Sequence, residues 1–325
     1  MHDDVIPFEN ALALTEPGKR HLLLGNGFSI ACRHDIFDYR HLLEKCDFGK
    51  APNVPAVFRL FATADFERII RILRDFATLA PLYDGDGTQA ELDAVETREA
   101  LIQTIEKTHP KIPDEILTEE FASCWKFLCH FTNIFTLNYD LLLYWTQMKQ
   151  RQVEFTDGFM KHGGVLTWDP DHYSSKKTIF LHGALHLHEW SGRPQKYTWT
   201  DNAPPILQQV AADIRNDRYP LFVCEGKAEE KMVSIKRSEY LRFAFVSLGE
   251  MDESLFIFGH SLRDEDKHIM DQIKDSEISR LFVSVRLADD PGMIADLKGR
   301  AFALADKAGI GQPIFFDADS AHVWK

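Results

Sequence analysis

Short apolar runs without polar alternation recur along the chain, and they limit the fold more than any other feature of the sequence. Seven runs of four or five residues share this character, namely His21–Leu24, Ile134–Leu137, Thr178–Leu181, Leu221–Cys224, Leu255–Phe258, Leu281–Val285 and Pro313–Phe316. Strands that are buried on both faces of a parallel sheet have this composition. Turn residues and then helix-like sequence follow most of the runs, as Asp266–Lys274 follows Leu255–Phe258. This order predicts βαβ units with right-handed crossovers, and hence an α/β fold with a Rossmann-like parallel sheet.

Residues 52–131 have a different pattern, because their apolar side chains recur at helical spacing. Ile69, Ile70 and Leu73 are one example, and no convincing strand pattern occurs in this stretch. A chain of 325 residues can form one large α/β domain with insertions, or two modest domains. We predict one domain over residues 1–325 that contains a helical insertion at about 52–131.

Composition and charge argue against a nucleic-acid-binding protein. The hydrophobic fraction of 45% is ordinary for a globular protein with a core, and the net charge is −13. A nucleic-acid surface needs a clustered basic face. The most basic stretch, Lys227–Arg237, also contains Glu229 and Glu230, which is typical of a solvated helix face. We therefore predict no direct contact with nucleic acid.

Cysteine usage and hydropathy predict a cytoplasmic protein. The five cysteines are scattered and form no Cys-x-x-Cys pair, so neither a disulfide framework nor a four-cysteine zinc module is expected. The segment Met1-His2-Asp3-Asp4 lacks the basic and apolar parts of a secretory signal. No apolar stretch approaches the ~20 residues that span a bilayer, so we expect no contact with a membrane.

Polar residues end three of the predicted strands. The three segments are Gly25-Asn26-Gly27-Phe28-Ser29, Asn138-Tyr139-Asp140 and His182-Gly183. The carboxyl ends of parallel strands meet at one edge of a sheet, where open α/β sheets bind their ligands. We therefore predict that these loops assemble a single site.

The first of these loops suits a phosphate group. Gly25 and Gly27 let main-chain N–H groups approach a pyrophosphate, and Ser29 can donate from the start of the next helix. Ile30 replaces the third glycine of the dinucleotide fingerprint, and the chain contains no Gly-Lys-Ser or Gly-Lys-Thr. A tight turn without a ligand remains the alternative for this loop.

The other two loops carry groups that suit catalysis. Asn138 can bind a ribose hydroxyl or position a water molecule. Alternatively, Asn138 or, more suitably, Asp140 caps the next helix, Leu141–Gln147. His182 can act as a general base, and Gly183 leaves space beside its imidazole. The alternative for His182 is a structural role in the core.

His182, His186 and His188 raise a metal site as a further alternative. Their H-x-x-x-H-x-H spacing offers three nitrogen ligands. His186 and His188 also alternate with Leu185 and Leu187, however, as they would in a strand with one solvated face. We therefore expect no metal ligands here and keep a His-ligated, metal-dependent hydrolase as a less favoured alternative.

Taken in order, these motifs resemble those of sirtuins. Gly25-Asn26-Gly27-Phe28-Ser29 is similar to their G-A-G-x-S loop, Asn138-Tyr139-Asp140 to their N-x-D, and His182-Gly183 to their H-G. Phe258-Gly259-His260-Ser261-Leu262 resembles their later dinucleotide-holding loop, so the resemblance spans residues 21 to about 290. The chain is similar in particular to a bacterial sirtuin-like family, known mainly as a domain of unknown function, with G-N-G-F-S, L-N-Y-D and L-H-G-A motifs.

The resemblance implies NAD as the ligand and assigns roles to residues. It implies that His182 and Asn138 are catalytic. The residues that it implies for dinucleotide binding are Gly25, Asn26, Gly27, Phe28, Ser29, Asp140, Gly183, Gly259 and Ser261. Deacylating sirtuins carry a four-cysteine zinc module after the H-G motif, whereas here only Cys224 lies in that interval, so no zinc is expected. Their G-I-P-D-F-R segment over nicotinamide is not reproduced in register, and Phe37-Asp38-Tyr39-Arg40 is its displaced candidate.

The missing zinc module points to a reaction other than deacylation. Sirtuin-like domains without this module, as in several bacterial anti-phage systems, are implied to hydrolyse NAD. We therefore expect an NAD hydrolase that cleaves the nicotinamide–ribose bond, with anti-phage defence as its setting. The alternatives are a non-catalytic sensor of NAD or ADP-ribose and the His-ligated hydrolase. A homo-oligomer or a regulatory partner protein fits either a hydrolase or a sensor.

Overall fold

Seven parallel strands form the main sheet of the computed structural model, which describes residues 4–37, 42–150, 154–190, 192–198, 200, 203–223 and 227–325. With labels that count every strand in chain order, they are β1 (Val5–Ile6), β2 (Arg20–Leu24), β3 (Asn133–Thr136), β6 (Lys177–Phe180), β10 (Asp252–Phe258), β11 (Glu277–Val285) and β12 (Ile314–Asp317). Their order in the sheet is β1-β12-β11-β10-β2-β3-β6, and all six pairings are parallel. The predicted α/β class with a Rossmann-like parallel sheet is confirmed.

The direction in which the chain adds strands reverses between β2 and β10. From β2 it proceeds to β3 and β6 on one side, and it then returns to add β10, β11 and β12 on the other. Sheets of this kind have a crevice at the carboxyl ends of the strands where the order reverses. Leu24, the last residue of β2, pairs with Thr136 and Phe258, the last residues of β3 and β10. The loops that follow these three strands therefore start at the same level.

The apolar runs are continuous because both faces of the sheet are covered. Leu22 and Leu24 belong to one core cluster, whereas Leu23 between them belongs to the other. All three side chains are completely buried. Successive residues of a strand point to opposite faces, so a strand that is covered on both sides needs apolar residues at consecutive positions.

Helices surround the sheet and form the insertion. Those outside the insertion are α1 (Phe8–Ala13), α2 (Gly27–Cys32), α3 (His34–Phe37), α8 (Leu142–Lys149), α9 (Ile206–Arg215), α10 (Ala228–Arg237), α11 (Glu239–Gly249), α12 (Lys267–Lys274) and α13 (Pro291–Ala308). Those inside it are α4 (Val54–Leu60), α5 (Phe66–Leu79), α6 (Thr88–Lys107) and α7 (Thr118–Leu128), and residues 52–131 contain no strand. In the described part of the chain, no helix has both the length and the apolar character required to cross a membrane.

The longest helices of the insertion form because their sequence meets two local requirements. The Asp65 side chain accepts a hydrogen bond from the main-chain N–H of Arg68 at 3.0 Å and so caps the start of α5. Ile69, Ile70 and Leu73 are buried on one face of α5, which packs on α6. The insertion is therefore held by an apolar stripe, as its spacing predicts, while the organisation of residues 1–325 as one domain stays a prediction.

A second, antiparallel sheet lies between β3 and β10 in the sequence. Its strands are β4 (Phe159–His162), β5 (Val165–Trp168), β7 (Gly183–Trp190), β8 (Arg193–Lys196) and β9 (Pro220–Phe222), in the order β4-β5-β8-β7-β9. The expectation that the run Leu221–Cys224 joins the parallel sheet is wrong, because its described part in β9 pairs antiparallel with β7. Cys224 itself lies outside the described residues. Gly163 and Gly164, both with positive φ, form the two-residue turn between β4 and β5, which is a hairpin signal that the apolar pattern does not contain.

Candidate functional site

The predicted loops meet at the carboxyl edge of the main sheet. Gly25 follows β2, Asn138 lies just beyond β3, His182 lies just beyond β6, and Gly259 follows β10. These four strands are neighbours in the order β10-β2-β3-β6. The edge beside the switch point therefore gathers the glycine loop, the asparagine, the histidine and the later loop.

The glycine loop packs directly against the loop after β10. Gly25 N–H donates to the Phe258 carbonyl at 2.9 Å, and Gly27 N–H donates to the Gly259 carbonyl at 2.8 Å. A Cβ atom on Gly27 would lie 2.6 Å from Gly259 Cα, so the two loops can meet only without side chains there. Gly259 also has φ +68°, a conformation that favours glycine.

Five main-chain donors at this loop are already used within the protein. Besides Gly25 and Gly27, the N–H groups of Phe28, Ser29 and Ile30 donate to the carbonyls of the loop itself. The amides that were expected to receive a pyrophosphate are therefore hydrogen-bonded in this structure. The Phe28 side chain is also buried, and its ring packs on Trp324 with centroids 5.1 Å apart.

A polar network joins the glycine loop to the end of β3. Asn138 Nδ2 donates to the Gly25 carbonyl at 3.0 Å and to Ser29 Oγ at 2.9 Å. Ser29 Oγ donates to Asp140 Oδ2 at 2.5 Å. Both hydrogens of the Asn138 amide are thus used, and Oδ1 is the atom of this side chain left for a ligand.

Asp140 serves the protein rather than an open site. Its Oδ1 accepts a hydrogen bond from Leu142 N–H, at the first residue of α8, at 2.8 Å. The N-cap position itself is Leu141, so Asp140 contacts the start of the helix from one residue before the cap. Burial raises the pKa of this carboxyl above its ordinary value, although the hydrogen bonds from Ser29 and Leu142 oppose the rise. The side chain is only 6% exposed. It positions Asn138 indirectly, through the Ser29 hydroxyl that both side chains contact.

His109 fixes the same loop from the helical insertion. Its Nε2 accepts a hydrogen bond from Leu141 N–H at 2.9 Å, so Nδ1 carries the hydrogen and donates to the Pro110 carbonyl at 2.6 Å. Burial lowers the pKa of His109 to about 4, and the ring is therefore neutral at pH 7. No local pattern around His109 predicts this role.

His182 is buried beyond the end of β6 and faces a second imidazole. Its Nε2 lies 3.0 Å from Nε2 of His268, and the two rings stack with centroids 5.2 Å apart. Burial lowers the pKa of His182 to about 3, although the negative charge of Asp266 opposes the fall. Burial likewise lowers the pKa of His268 to about 4. Both rings are neutral at pH 7, so one nitrogen of the close pair donates and the other accepts.

Asp266 organises the rest of this cluster. Its Oδ1 accepts from Lys231 Nζ at 2.7 Å, and its Oδ2 lies 3.0 Å from His260 Nε2. Leu262 N–H donates to His260 Nδ1, so Nε2 carries the hydrogen that Asp266 accepts. Burial alone would raise the pKa of Asp266, but the neighbouring histidines and Lys231 outweigh it and hold that pKa well below its ordinary value. The carboxyl group is therefore ionised.

Four members of this cluster were not predicted as site residues. They are Lys231, His260, Asp266 and His268. The sequence after β10 does contain a pattern that could indicate these residues. A histidine in the loop is followed by Asp-Lys-His at the start of the next helix. The sequence pattern predicts a solvated helix face for Lys231 on α10. This prediction is wrong for Lys231, which is 8% exposed and bonded to Asp266.

The predicted alternative of a metal site with His186 and His188 is not supported by the geometry. His186 is completely buried and stacks on Tyr144, with centroids 4.4 Å apart. His188 stacks on Tyr197 at 4.3 Å. Both belong to β7, and the positive φ of Gly183 turns the chain between them and His182. In the part of the chain that the structure describes, the cluster of potential metal ligands that includes His182 contains neither of them.

The remaining predicted residues lie in the loops and turns that follow the strands of the site. A Cβ atom on Gly183 would lie 2.0 Å from the Leu221 carbonyl, so this glycine lets β9 approach the histidine turn. Asn26 Nδ2 donates to the Phe37 carbonyl at 3.3 Å. Ser261 is exposed, and its carbonyl accepts from Arg300 Nε at 2.8 Å. Of the displaced candidate segment 37–40, residues 38–40 lie outside the described residues.

A cationic cavity adjoins the cluster. It has a volume of about 320 Å³ and lies between the insertion and α10, where Arg68, Lys231 and Arg237 line it together with acidic and hydroxyl side chains. Lys231 also donates to Asp266. Lys231 and Asp266 therefore connect the wall of the cavity to His260.

The parallel sheet, its switch point and the polar loops at that edge define an α/β protein of the class that binds ligands beyond the carboxyl ends of its strands. Within this class, the chain belongs to the family described as Domain of unknown function (DUF4917), whose model matches residues 22–324. No curated protein matches the chain. A similar solved structure is titled "Structural Basis for the Mechanism and Regulation of Sir2 Enzymes", with 12% identity, a TM-score of 0.40, and coverage of 99% of this chain and 95% of that one.

Proposed function

We propose that this protein binds NAD at the carboxyl edge of its main sheet and hydrolyses the bond between nicotinamide and ribose. The observation that supports this proposal most directly is the placement of Asn138 and His182. They follow the neighbouring strands β3 and β6 beside the switch point, and the His182 imidazole is neutral at pH 7. An amide and a proton acceptor at one strand edge are the groups that this hydrolysis requires.

The proposed reaction needs a base but no acid. Nicotinamide in NAD is already cationic, so the electron pair of the C1′–N bond passes to the ring nitrogen and neutral nicotinamide leaves. The ribose then has oxocarbenium character, as in glycoside hydrolysis. Water forms the new bond to C1′, and His182 takes the proton of that water. A general base whose pKa is matched to the working pH contributes typically ~10²–10⁴-fold to the rate. Although burial lowers the pKa of His182, the negative charge of Asp266 opposes this fall and so favours the imidazolium that this step forms.

The other predicted residues position the dinucleotide in this proposal. Asn138 orients the ribose or the water through Oδ1, because its Nδ2 hydrogens are used by Gly25 and Ser29. The loops Gly25–Ser29 and Gly259–Ser261 border the dinucleotide. The sequence expectation that Gly183 leaves space beside the imidazole is wrong, because the Leu221 carbonyl of β9 occupies that position. Since the amides of the first loop are bonded within the protein, we infer that the pyrophosphate displaces some of these bonds when it binds.

A sensor that binds NAD or ADP-ribose without turnover is the second candidate. The contact between His182 and His268 favours it, because Nε2 of one ring lies 3.0 Å from Nε2 of the other and so engages a nitrogen that a base would use. The anti-phage setting and control by a homo-oligomer or a partner protein are proposed from the sequence resemblance. Light scattering of the purified chain with and without NAD measures whether the ligand changes its assembly.

The deciding experiment is NAD consumption by the purified full chain, with the products separated by chromatography. We expect the wild type to release nicotinamide, and we expect His182→Ala to lose at least about 100-fold in rate. His172→Ala removes an exposed histidine outside the site and should keep the wild-type rate. The second product distinguishes hydrolysis from cyclisation and from transfer to an acceptor.

Two results would change the proposal. Equal rates for the wild type and a folded His182→Ala variant would exclude this histidine as the base. No nicotinamide release by the wild type, together with tight binding of NAD or ADP-ribose in calorimetry, would replace the hydrolase by the sensor.

A further inference from the structure

We propose that His182, Asp266 and His268 form a binding site for a divalent transition-metal ion such as Zn²⁺ or Co²⁺. One potential ligand atom from each of these side chains lies within 4.8 Å of the other two. His182 and His268 are buried, and Asp266 is largely so. The three residues come from the end of β6 and the start of α12, so their convergence is a product of the fold rather than of one local motif.

The spacing of the two imidazoles fits a shared ion. Zn–N bonds of about 2.0–2.1 Å in a tetrahedral site place two nitrogen ligands roughly 3.3 Å apart. The Nε2 atoms of His182 and His268 are 3.0 Å apart, so a shift of a few tenths of an ångström suffices. Nitrogen ligands favour zinc, cobalt or nickel over magnesium and calcium, which prefer oxygen.

The carboxylate is held as a metal-ligating carboxylate usually is. Lys231 Nζ donates to Oδ1 of Asp266, and His260 Nε2 donates to Oδ2. Carboxylates that bind metals are in turn hydrogen-bonded by such outer groups, which fix their direction. Each carboxylate oxygen has two lone pairs, so these bonds leave capacity for an ion.

The second nitrogen of the His268 ring bears on which atom of that ring can bind the ion. His268 Nδ1 is buried and has no hydrogen-bond partner among the described residues, although the side chain is only 5% exposed. Buried polar atoms without a partner are uncommon, and a bound water molecule or ion is a usual explanation. Nδ1 is not the nitrogen that faces His182. If Nδ1 carries the ring hydrogen towards a water molecule, the lone pair of His268 is on Nε2, where the ion would bind.

A bound ion would regulate the proposed reaction, an inference that rests on the proposed function. The ion would take the lone pair of His182 that accepts the proton of water in hydrolysis. Metal binding and base catalysis would therefore exclude each other, and Zn²⁺ would act as an inhibitor. The metal site itself does not depend on this consequence.

The test uses Co²⁺ as the probe and the full chain freed of metal by a chelator. We expect the wild type to bind one Co²⁺ per chain, with the visible absorption of a tetrahedral ion, and to release it when Zn²⁺ is added. His268→Ala and Asp266→Asn should each weaken binding by about 100-fold or more, because loss of an outer-shell partner alone typically costs 10–100-fold. His172→Ala, at an exposed position, should bind as the wild type does.

Thermal melts of each variant establish that it is folded, and Asp266→Asn keeps the shape of the side chain if His268→Ala does not fold. Absence of Co²⁺ binding by the wild type, or unchanged binding in a folded Asp266→Asn variant, would overturn the metal site. NAD hydrolysis without Co²⁺ binding would refute the metal site alone, whereas Co²⁺ binding without NAD hydrolysis would support the metal site and refute the hydrolase.

Discussion

Ser29 links the glycine loop to the end of β3, and its loss should be costly. Its hydroxyl accepts from Asn138 and donates to the buried Asp140 carboxyl. Ser29→Ala leaves that carboxyl desolvated with one donor fewer, so we expect a loss of about 1–3 kcal/mol in the free energy of unfolding. Urea denaturation measures it. Ser261→Ala, at an exposed position, should stay within about 0.5 kcal/mol of the wild type, and equal stabilities of the two variants would contradict the role assigned to Ser29.

His109 should make the stability of the protein depend on pH. Burial lowers its pKa in the folded state to about 4 from an ordinary value of 6.5, so the unfolded chain binds a proton more readily. The contribution of His109 to stability is therefore complete above pH 6.5 and is lost as the pH falls from 6.5 towards 4. Within that window the slope from this one group approaches about 1.4 kcal/mol per pH unit.

The variant that isolates this effect is His109→Gln, which keeps a polar side chain but does not titrate. Urea denaturation at several pH values between 7.5 and 4.5 measures how the free energy of unfolding falls with pH. The fall should be shallower for His109→Gln than for the wild type, because unfolding of the variant takes up close to one proton fewer. Parallel pH dependences of the two proteins would show that His109 does not carry the linkage.

At the scale of elements, the approach of the loops after β2 and β10 depends on glycine. Gly259 and Gly309 have nearly the same φ, +68° and +66°. A Cβ on Gly259 would lie 2.6 Å from Phe28 N, whereas nothing lies within 4 Å of one on Gly309. Ala at position 309 should cost about 1–2 kcal/mol for the left-handed backbone alone.

Gly259→Ala should cost about 1–3 kcal/mol more than Gly309→Ala, because the crowded site adds an overpacking penalty to the same backbone cost. Chemical denaturation of the two variants measures the difference. Equal losses of stability would mean that the two loops can move apart without cost. The close contact at the switch point would then contribute nothing to the free energy of unfolding.

The strands were predictable where burial alone identifies them. Leu255–Phe258 reads as a strand because both of its faces are covered, which is a local property of the sequence. The pairing direction of β9 was not predictable, because it depends on the close contact between Gly183 and the Leu221 carbonyl. Residues at strand ends, such as Asn138 and His182, were predictable as neighbours since parallel strands end at one edge.

The helical part of the site escaped prediction for a physical reason. Lys231 lies on α10, while Asp266 and His268 lie at the start of α12. The distance between such helices is set by packing, since α10 contacts both α12 and the turn that contains Asp266. The spacing of apolar and charged residues in a helix is the same whether a given lysine faces solvent or a buried carboxylate. The sequence of Lys227–Arg237 therefore does not distinguish the buried Lys231 from its exposed neighbours.

At the scale of the whole molecule, the candidate site exists only in the folded chain, because its residues come from positions 25 to 268. A ligand that bridges these loops must therefore stabilise the fold by mass action. ADP-ribose, which contains the dinucleotide part expected at the site but has no nicotinamide to lose, should add about 2.7 kcal/mol to the free energy of unfolding at a concentration 100 times its Kd. Thermal melts across an ADP-ribose titration measure this shift.

Asn138→Ala should move the titration to higher concentrations without abolishing it, since Asn138 contributes one contact among several. A melting temperature that does not change up to millimolar ADP-ribose would remove NAD from the proposed ligands, for a hydrolase and a sensor alike.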